Sequence, residues 1–211
     1  MEWIKQVWSF FIRGGVVMWP LLMCSLVSLT IILERWSYFR KEDSGREYPR
    51  QFCRLLRQGK WAEVLELSRQ TKGGLAALGL QLLTAPAEAR SKESYVAGES
   101  QQVINRFEKG LNYLSVIVTL SPILGLLGTI TGMMSSFQAL EGRWENPMAV
   151  TAGVAEAMIT TVFGLVIAIA TICFHTVFSQ KVDVLLGEVE QMDNAFLENA
   201  GALPQKGGDP Q

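Results

Sequence analysis

Three long windows without formal charge constrain this chain more than any other feature of its sequence. The first runs from Gly14 to Leu33, between Arg13 and Glu34, and the second from Gly110 to Leu140, between Lys109 and Glu141. The third runs from Asn146 to Gln180, interrupted only by Glu156 and holding the chain's one histidine, His175. A hydrocarbon core of about 30 Å is crossed by roughly 20 predominantly apolar residues in helical form, and each window meets that length. The chain is therefore expected to be an all-α membrane protein with three transmembrane helices. At 1.5 Å per residue the second and third windows measure about 46 and 52 Å. Helices 2 and 3 are accordingly expected to be long and to extend into a helical cytoplasmic domain.

The formal net charge of −1 identifies no partner, but the distribution of charge orients the chain. Of the 19 Lys and Arg residues, 14 lie between Arg35 and Lys109; Lys5 and Arg13 precede the first window, and Arg143 alone separates the second from the third. Basic segments stay in the cytoplasm, so the N-terminus is expected outside and the C-terminus inside. The expected order is an outer N-terminus (1–13), transmembrane helix 1 (14–39), a cytoplasmic helical domain (40–109) and transmembrane helix 2 (110–140). An outer loop (141–147), transmembrane helix 3 (148–180) and a cytoplasmic tail (181–211) complete it. The first window is long for the apolar core of a signal peptide and closes on Glu34-Arg35-Trp36 without a small-residue cleavage site. It is expected to remain as an anchor, with Trp3, Trp8, Trp19 and Trp36 at its ends as interfacial rings.

Between Arg40 and Lys109 helical spacing is evident in WAEVLELSRQ and LAALGLQLL, with Gly73-Gly74 and Ala85-Pro86 as punctuation. Cys24, Cys53 and Cys173 have no paired spacing and are expected to be buried or free thiols. No nucleotide-binding glycine loop or metal-ligand cluster occurs, and no nucleophile, base and oxyanion grouping can be assembled. No cofactor, metal or nucleic acid is expected, and an enzyme is not.

The seven-residue link EGRWENP forces the second and third windows into an antiparallel hairpin. Counted from its middle, Thr129 lies about 14 residues back, Glu156 about 12 forward and Thr161 about 17 forward, so at 1.5 Å per residue the three share one layer to within a turn or so. Gly125, Thr129, Gly132 and Ser136 recur along one narrow face of the second helix, with Gly128 alongside. Gly153, Glu156, Thr160 and Gly164 form a comparable face on the third. Small residues let helix backbones approach closely in lipid, and hydroxyls there can bond across helices. Thr161 stands about 140° from Glu156 at 3.6 residues per turn. Both can line one path only if that path is wide or shared between subunits.

An acidic residue at a helix centre in a bilayer costs roughly 2.5 to 3.5 kcal/mol on insertion scales and marks a functional site by default. Glu156, beside the hydroxyls of Thr129 and Thr161, is suited to taking up and releasing protons. The alternative is that Glu156 is an interhelical hydrogen-bonding group without a transport role and that the threonines serve packing alone. His175, near the inner end of its span, reads as an interfacial histidine.

Three segments resemble those of a known family. GGVVMWPLLMCSLVSLTIILERWSYF is similar to its opening span, with two glycines, a Met-x-Pro-Leu core and a closing Glu-Arg. SPILGLLGTITGMMSSF resembles its second span, and GVAEAMITTVFGLVIAIA its third. The chain thus looks like an ExbB/TolQ-like member of the ExbB/TolQ/MotA proton-channel family; MotA-type stators, with four spans, are a poorer match. The resemblance places the family's membrane glutamate on Glu156 and its two pore threonines on Thr129 and Thr161. It implies a homopentamer in the bacterial inner membrane, in contact with lipid, around two copies of an ExbD/TolR-like single-span protein whose membrane aspartate carries protons. It further implies work in the periplasm, through a TonB- or TolA-like protein. Two functions follow as expectations: the channel-forming subunit of a proton-driven motor, or a non-conducting scaffold that organises a single-span partner.

Overall fold

The computed structural model describes residues 15–42, 45, 47–86, 93–142 and 147–200, with backbone alone at 139–142, 147–150, 152 and 156. The expected outer N-terminus (1–13), most of the link and the end of the tail lie outside the described residues. Seven α-helices and no strand occur among the described residues: α1 Met18–Glu42, α2 Glu47–Arg57, α3 Trp61–Gln70, α4 Gly74–Thr84, α5 Glu93–Glu108, α6 Leu111–Gly142 and α7 Pro147–Asn199. Three helical stretches are long and apolar enough to cross a membrane. The chain is an all-α, multi-pass membrane protein. It divides into two compact units, Met1–Glu34 with Gly110–Val177 and Arg35–Lys109 with Phe178–Gln211.

The first unit has the inside-out character of a protein solvated by lipid. Trp19, Phe137, Val162 and Ile169 are each about 60% exposed, whereas Ser121 and Thr160 are almost fully buried. In water such a continuous apolar exterior would drive aggregation. In hydrocarbon the apolar side chains are solvated, and the helices associate instead through small residues and hydroxyls. Pro122 stands inside α6; it leaves the carbonyl of Val118 without its usual helical donor. The neighbouring Ser121 hydroxyl bonds the carbonyl of Ile117 at 2.7 Å.

The second unit has an ordinary apolar core. Helix α2 buries Tyr48, Pro49, Phe52 and Leu56 and leaves Arg50, Arg54 and Arg57 exposed on the opposite face. It ends on Gly59, whose φ of +72° suits the left-handed C′ position. The Gly59 N–H bonds the Leu56 carbonyl at 2.9 Å and the Lys60 N–H reaches back to Leu55 at 3.1 Å, the two bonds of a Schellman motif. Helices α2, α3, α4 and α5 pack in sequence around Val64, Leu75, Leu78 and Leu82. Glycine at position 79 is a packing requirement: a Cβ there would run into the Tyr48 hydroxyl and lie 2.8 Å from the Phe52 ring.

The start of this unit joins its end through aromatic rings. Phe39 stacks on Phe178 with centroids 5.5 Å apart, and Tyr38 meets Phe107 edge-on at 5.5 Å. Arg35, 3% exposed, donates from Nη1 to the carbonyl of Arg106 at 3.0 Å and lies 4.9 Å over the Tyr38 ring. Its charge therefore sits at the C-terminal end of α5, where a cation is favoured. Gly110, with φ +87°, separates α5 from α6. Helix α7 is a single element of 53 residues, about 80 Å long at 1.5 Å per residue. It is far longer than a bilayer requires, and its last two-fifths, from Phe178 on, belong to the second unit.

Candidate functional site

The candidate site is the seam between α6 and α7, and glycines determine how close its two backbones come. A Cβ on Gly125 would lie 3.0 Å from the Cα of Thr161, and one on Gly132 would lie 2.7 Å from the Cβ of Ala157. One on Gly164 would lie 2.5 Å from the Ser121 carbonyl. Added Cβ atoms on Gly128 and Gly153 would collide with the hydroxyls of Thr160 and Ser136. The contact row is thus Ser121, Gly125, Gly128, Gly132 and Ser136 on α6 against Gly164, Thr161, Thr160, Ala157 and Gly153 on α7. The α6 row advances by steps of three and four residues, as one face of a helix must, and so does the α7 row from Gly153 through Ala157 and Thr160 to Gly164, with Thr161 beside Thr160.

Hydroxyls reinforce the row. Thr161 donates to the Gly125 carbonyl at 2.8 Å, the principal hydrogen bond across the seam. Thr160 donates to the carbonyl of Ala157 at 2.6 Å and lies 3.4 Å from that of Gly125. Ser136 bonds within its own helix to Gly132 at 2.9 Å, and Thr129 to Leu126 at 2.7 Å. A Thr or Ser hydroxyl that donates locally keeps lone pairs free to accept, so these groups can still receive a proton donor.

The sequence-nominated residues fall into two sets. Gly125, Gly128, Gly132, Ser136, Gly153, Thr160 and Gly164 meet along the seam. Thr129 lies one turn from Gly125 at its edge and is partly exposed. Because Gly128 meets Thr160 while Gly125 meets Thr161, the Thr161 margin of α7 borders the Gly125–Thr129 side of α6. Thr129 and Thr161 therefore share a margin. The backbone of Glu156 is helical within α7, and its side chain lies outside the described residues. The α7 position that faces Gly132 is the next residue, Ala157. At 3.6 residues per turn Glu156 stands about 140° from Thr161, across the seam row from the threonine margin. The contact register puts Thr129 at a depth between those of Glu156 and Thr161, which are themselves about 7.5 Å apart along the axis.

Sequence reasoning left out Ser121 and Ala157. Their signal was the spacing itself, since both continue the three- and four-residue steps of the glycine rows. His175 is partly exposed on α7, and Cys24, Cys53 and Cys173 are free thiols.

The chain's second and third spans close on glycine and hydroxyl, with one acid in the third, which defines a polytopic membrane protein packed through small residues. The model of the MotA/TolQ/ExbB proton channel family matches residues 68–191, more than half of the chain. The chain belongs to that family. It is 33% identical over 174 residues to an ExbB-like biopolymer transport protein of Synechocystis sp., covering 78% of this chain and 81% of that protein. The biopolymer transport protein exbB1 of Vibrio cholerae is 26% identical over 201 residues, 92% of this chain and 87% of its own length. The Tol-Pal system protein TolQ of Pseudomonas aeruginosa is 36% identical over a shorter stretch of 92 residues, 43% of this chain and 40% of that protein.

Proposed function

We propose that this chain is the channel-forming subunit of a proton-motive-force-driven motor of the bacterial inner membrane, coupling proton flow to work in the periplasm or envelope. The observation that carries the reading is the placement of one acid, Glu156, inside the third span of a chain that belongs to a proton channel family. Glu156 takes up and releases the proton, and Thr129 and Thr161 polarise the path. One charge crossing the membrane yields about 2.3 kcal/mol per 100 mV, so several protons per cycle supply mechanical work. The protein acts as a transporter component and not as an enzyme.

The separation of Glu156 from the threonine margin supports an oligomer. When chains stand side by side in a ring, the acid margin of one can face the threonine margin of the next. A homopentamer around two copies of an ExbD/TolR-like single-span protein meets that need, with the basic segment 40–109 in the cytoplasm and the N-terminus in the periplasm. A TonB- or TolA-like protein would receive the work.

The test is Glu156→Gln in the complex purified with its single-span partner and reconstituted in vesicles. Proton flux should fall to background while the intact mass of the complex is unchanged. Loss of assembly with glutamine would support the scaffold reading instead. A complex of unchanged mass that still conducts would remove Glu156 from the path.

A further inference from the structure

Helices α5 and α7 meet in the second unit through a polar contact between residues 93 apart in the chain. The hydroxyl of Ser100, 3% exposed, donates to Oδ1 of Asp193 at 2.7 Å. Beside this pair lies an open cavity of about 250 Å³, bordered by Glu93, Val96 and Ala97 of α5 and by Glu190, Asp193 and Leu197 of α7. Three carboxylates thus border one space with room for several waters at about 30 Å³ each.

The groups around Asp193 pull its proton equilibrium in opposite directions. Burial disfavours its charge most, and Glu190, one turn earlier on the same helix, adds repulsion; the Ser100 hydrogen bond favours the charge. From α5, Glu93 borders the same cavity, and α2 approaches α7 through Cys53, whose Sγ lies 3.6 Å from the Gln191 carbonyl. The sum leaves the carboxyl pushed up from 3.8 to about 6.

We propose that Asp193 and Ser100 form a proton-operated latch between α5 and α7. When Asp193 is protonated its uncharged carboxyl is buried at little cost and the two helices close on each other; when it ionises beside Glu190, the charge draws in hydration beyond the one Ser100 bond and the seam loosens. The packed state binds the proton more tightly than the unfolded chain does. Its advantage is full below the unfolded value of 3.8 and is lost as pH rises through about 6. The latch lies on the same continuous helix as the third span. It rests on the second unit alone and does not depend on the proton-channel reading.

Hydrogen exchange of the full-length protein tests the latch, followed in peptides covering 93–100 and 190–197 and corrected for the intrinsic pH dependence of exchange. Protection in both segments should fall several-fold between about pH 5 and about pH 7 in the native protein. Asp193→Asn, which keeps an acceptor for Ser100, should remove that transition. Two further variants move it in opposite directions: Glu190→Gln lowers the midpoint by removing a like charge, and Ser100→Ala raises it by removing the bond that favours ionisation. Protection that stays level across this range in the native protein, or an unaltered transition in Asp193→Asn, would overturn the proposal. Should Asp193→Asn fail to fold, midpoints that do not move in the other two variants overturn it equally.

Discussion

The hydroxyl of Thr161 donates to the carbonyl of Gly125 at 2.8 Å, from a nominated path residue on α7 to a backbone atom of α6. The contact joins two roles in one side chain, packing and polarity, and substitutions separate them. Hydrogen bonds between membrane helices are worth about 0.6 kcal/mol on average. Thr161→Val should therefore leave the melting temperature of the purified complex nearly unchanged. Proton flux in vesicles should nonetheless drop by about tenfold or more if the hydroxyl belongs to the path, the equivalent of about 1.4 kcal/mol. A variant with full flux would reduce Thr161 to a packing residue.

Gly132 and Ala157 offer a size-exchange test of the seam. An added Cβ at 132 would lie 2.7 Å from the Cβ of Ala157. Gly132→Ala should cost about 1 to 3 kcal/mol through overpacking, and Ala157→Gly in the same chain should recover most of it. Thermal melting of the two single variants and the double variant gives the coupling directly. Additive losses would mean that the two positions do not touch.

Arg35 ties the start of the second unit to the end of α5 through the Arg106 carbonyl and lies over the Tyr38 ring. Arg35→Ala removes a charge-assisted hydrogen bond, worth about 1.5 to 3 kcal/mol, and should lower the melting temperature measurably. Arg35→Lys keeps the charge without the planar guanidinium, so it should recover only part of the loss. Full recovery by lysine would make charge alone the requirement.

Tyr48 predicts an alkaline limit to the stability of the second unit. Its hydroxyl is paired with Ser68 at 2.8 Å, and burial pushes its pKa up from 10.0 to about 12. The folded state therefore holds a proton that the unfolded chain releases. Stability from this group is full below about pH 10 and is lost as pH rises toward about 12. Tyr48→Phe should flatten that decline while costing about 1 kcal/mol at neutral pH from the lost hydrogen bond. Equilibrium melting across the alkaline range checks both signs.

Much of the architecture is legible in the sequence because it depends on local composition. A helix in lipid must carry a long uncharged run, so the three windows announce themselves without any knowledge of neighbours. WAEVLELSRQ and the segment between Gly73 and Ala85 carry their own periodicity and punctuation, and they form α3 and α4. The glycine rows of the second and third spans are visible for the same reason, and the lone acid stands out against them.

Tertiary structure decided what depends on partners distant in the chain. Ala157 faces Gly132 because the relative rotation of two packed helices is set where their backbones touch, not by the pattern of either helix. The glycine at 79 is required by the rings of Tyr48 and Phe52, about thirty residues earlier, and nothing in LAALGLQLL foretells that contact. Arg35 reads in sequence as one more basic residue at the end of a span, and only the fold brings it to the carbonyl of Arg106. Ser100 and Asp193 are unremarked polar residues on two separate helices until packing buries the hydroxyl against the carboxylate. Hydropathy is a property of a segment and can be read from it; burial, helix phase and the environment of an ionisable group arise only when segments meet.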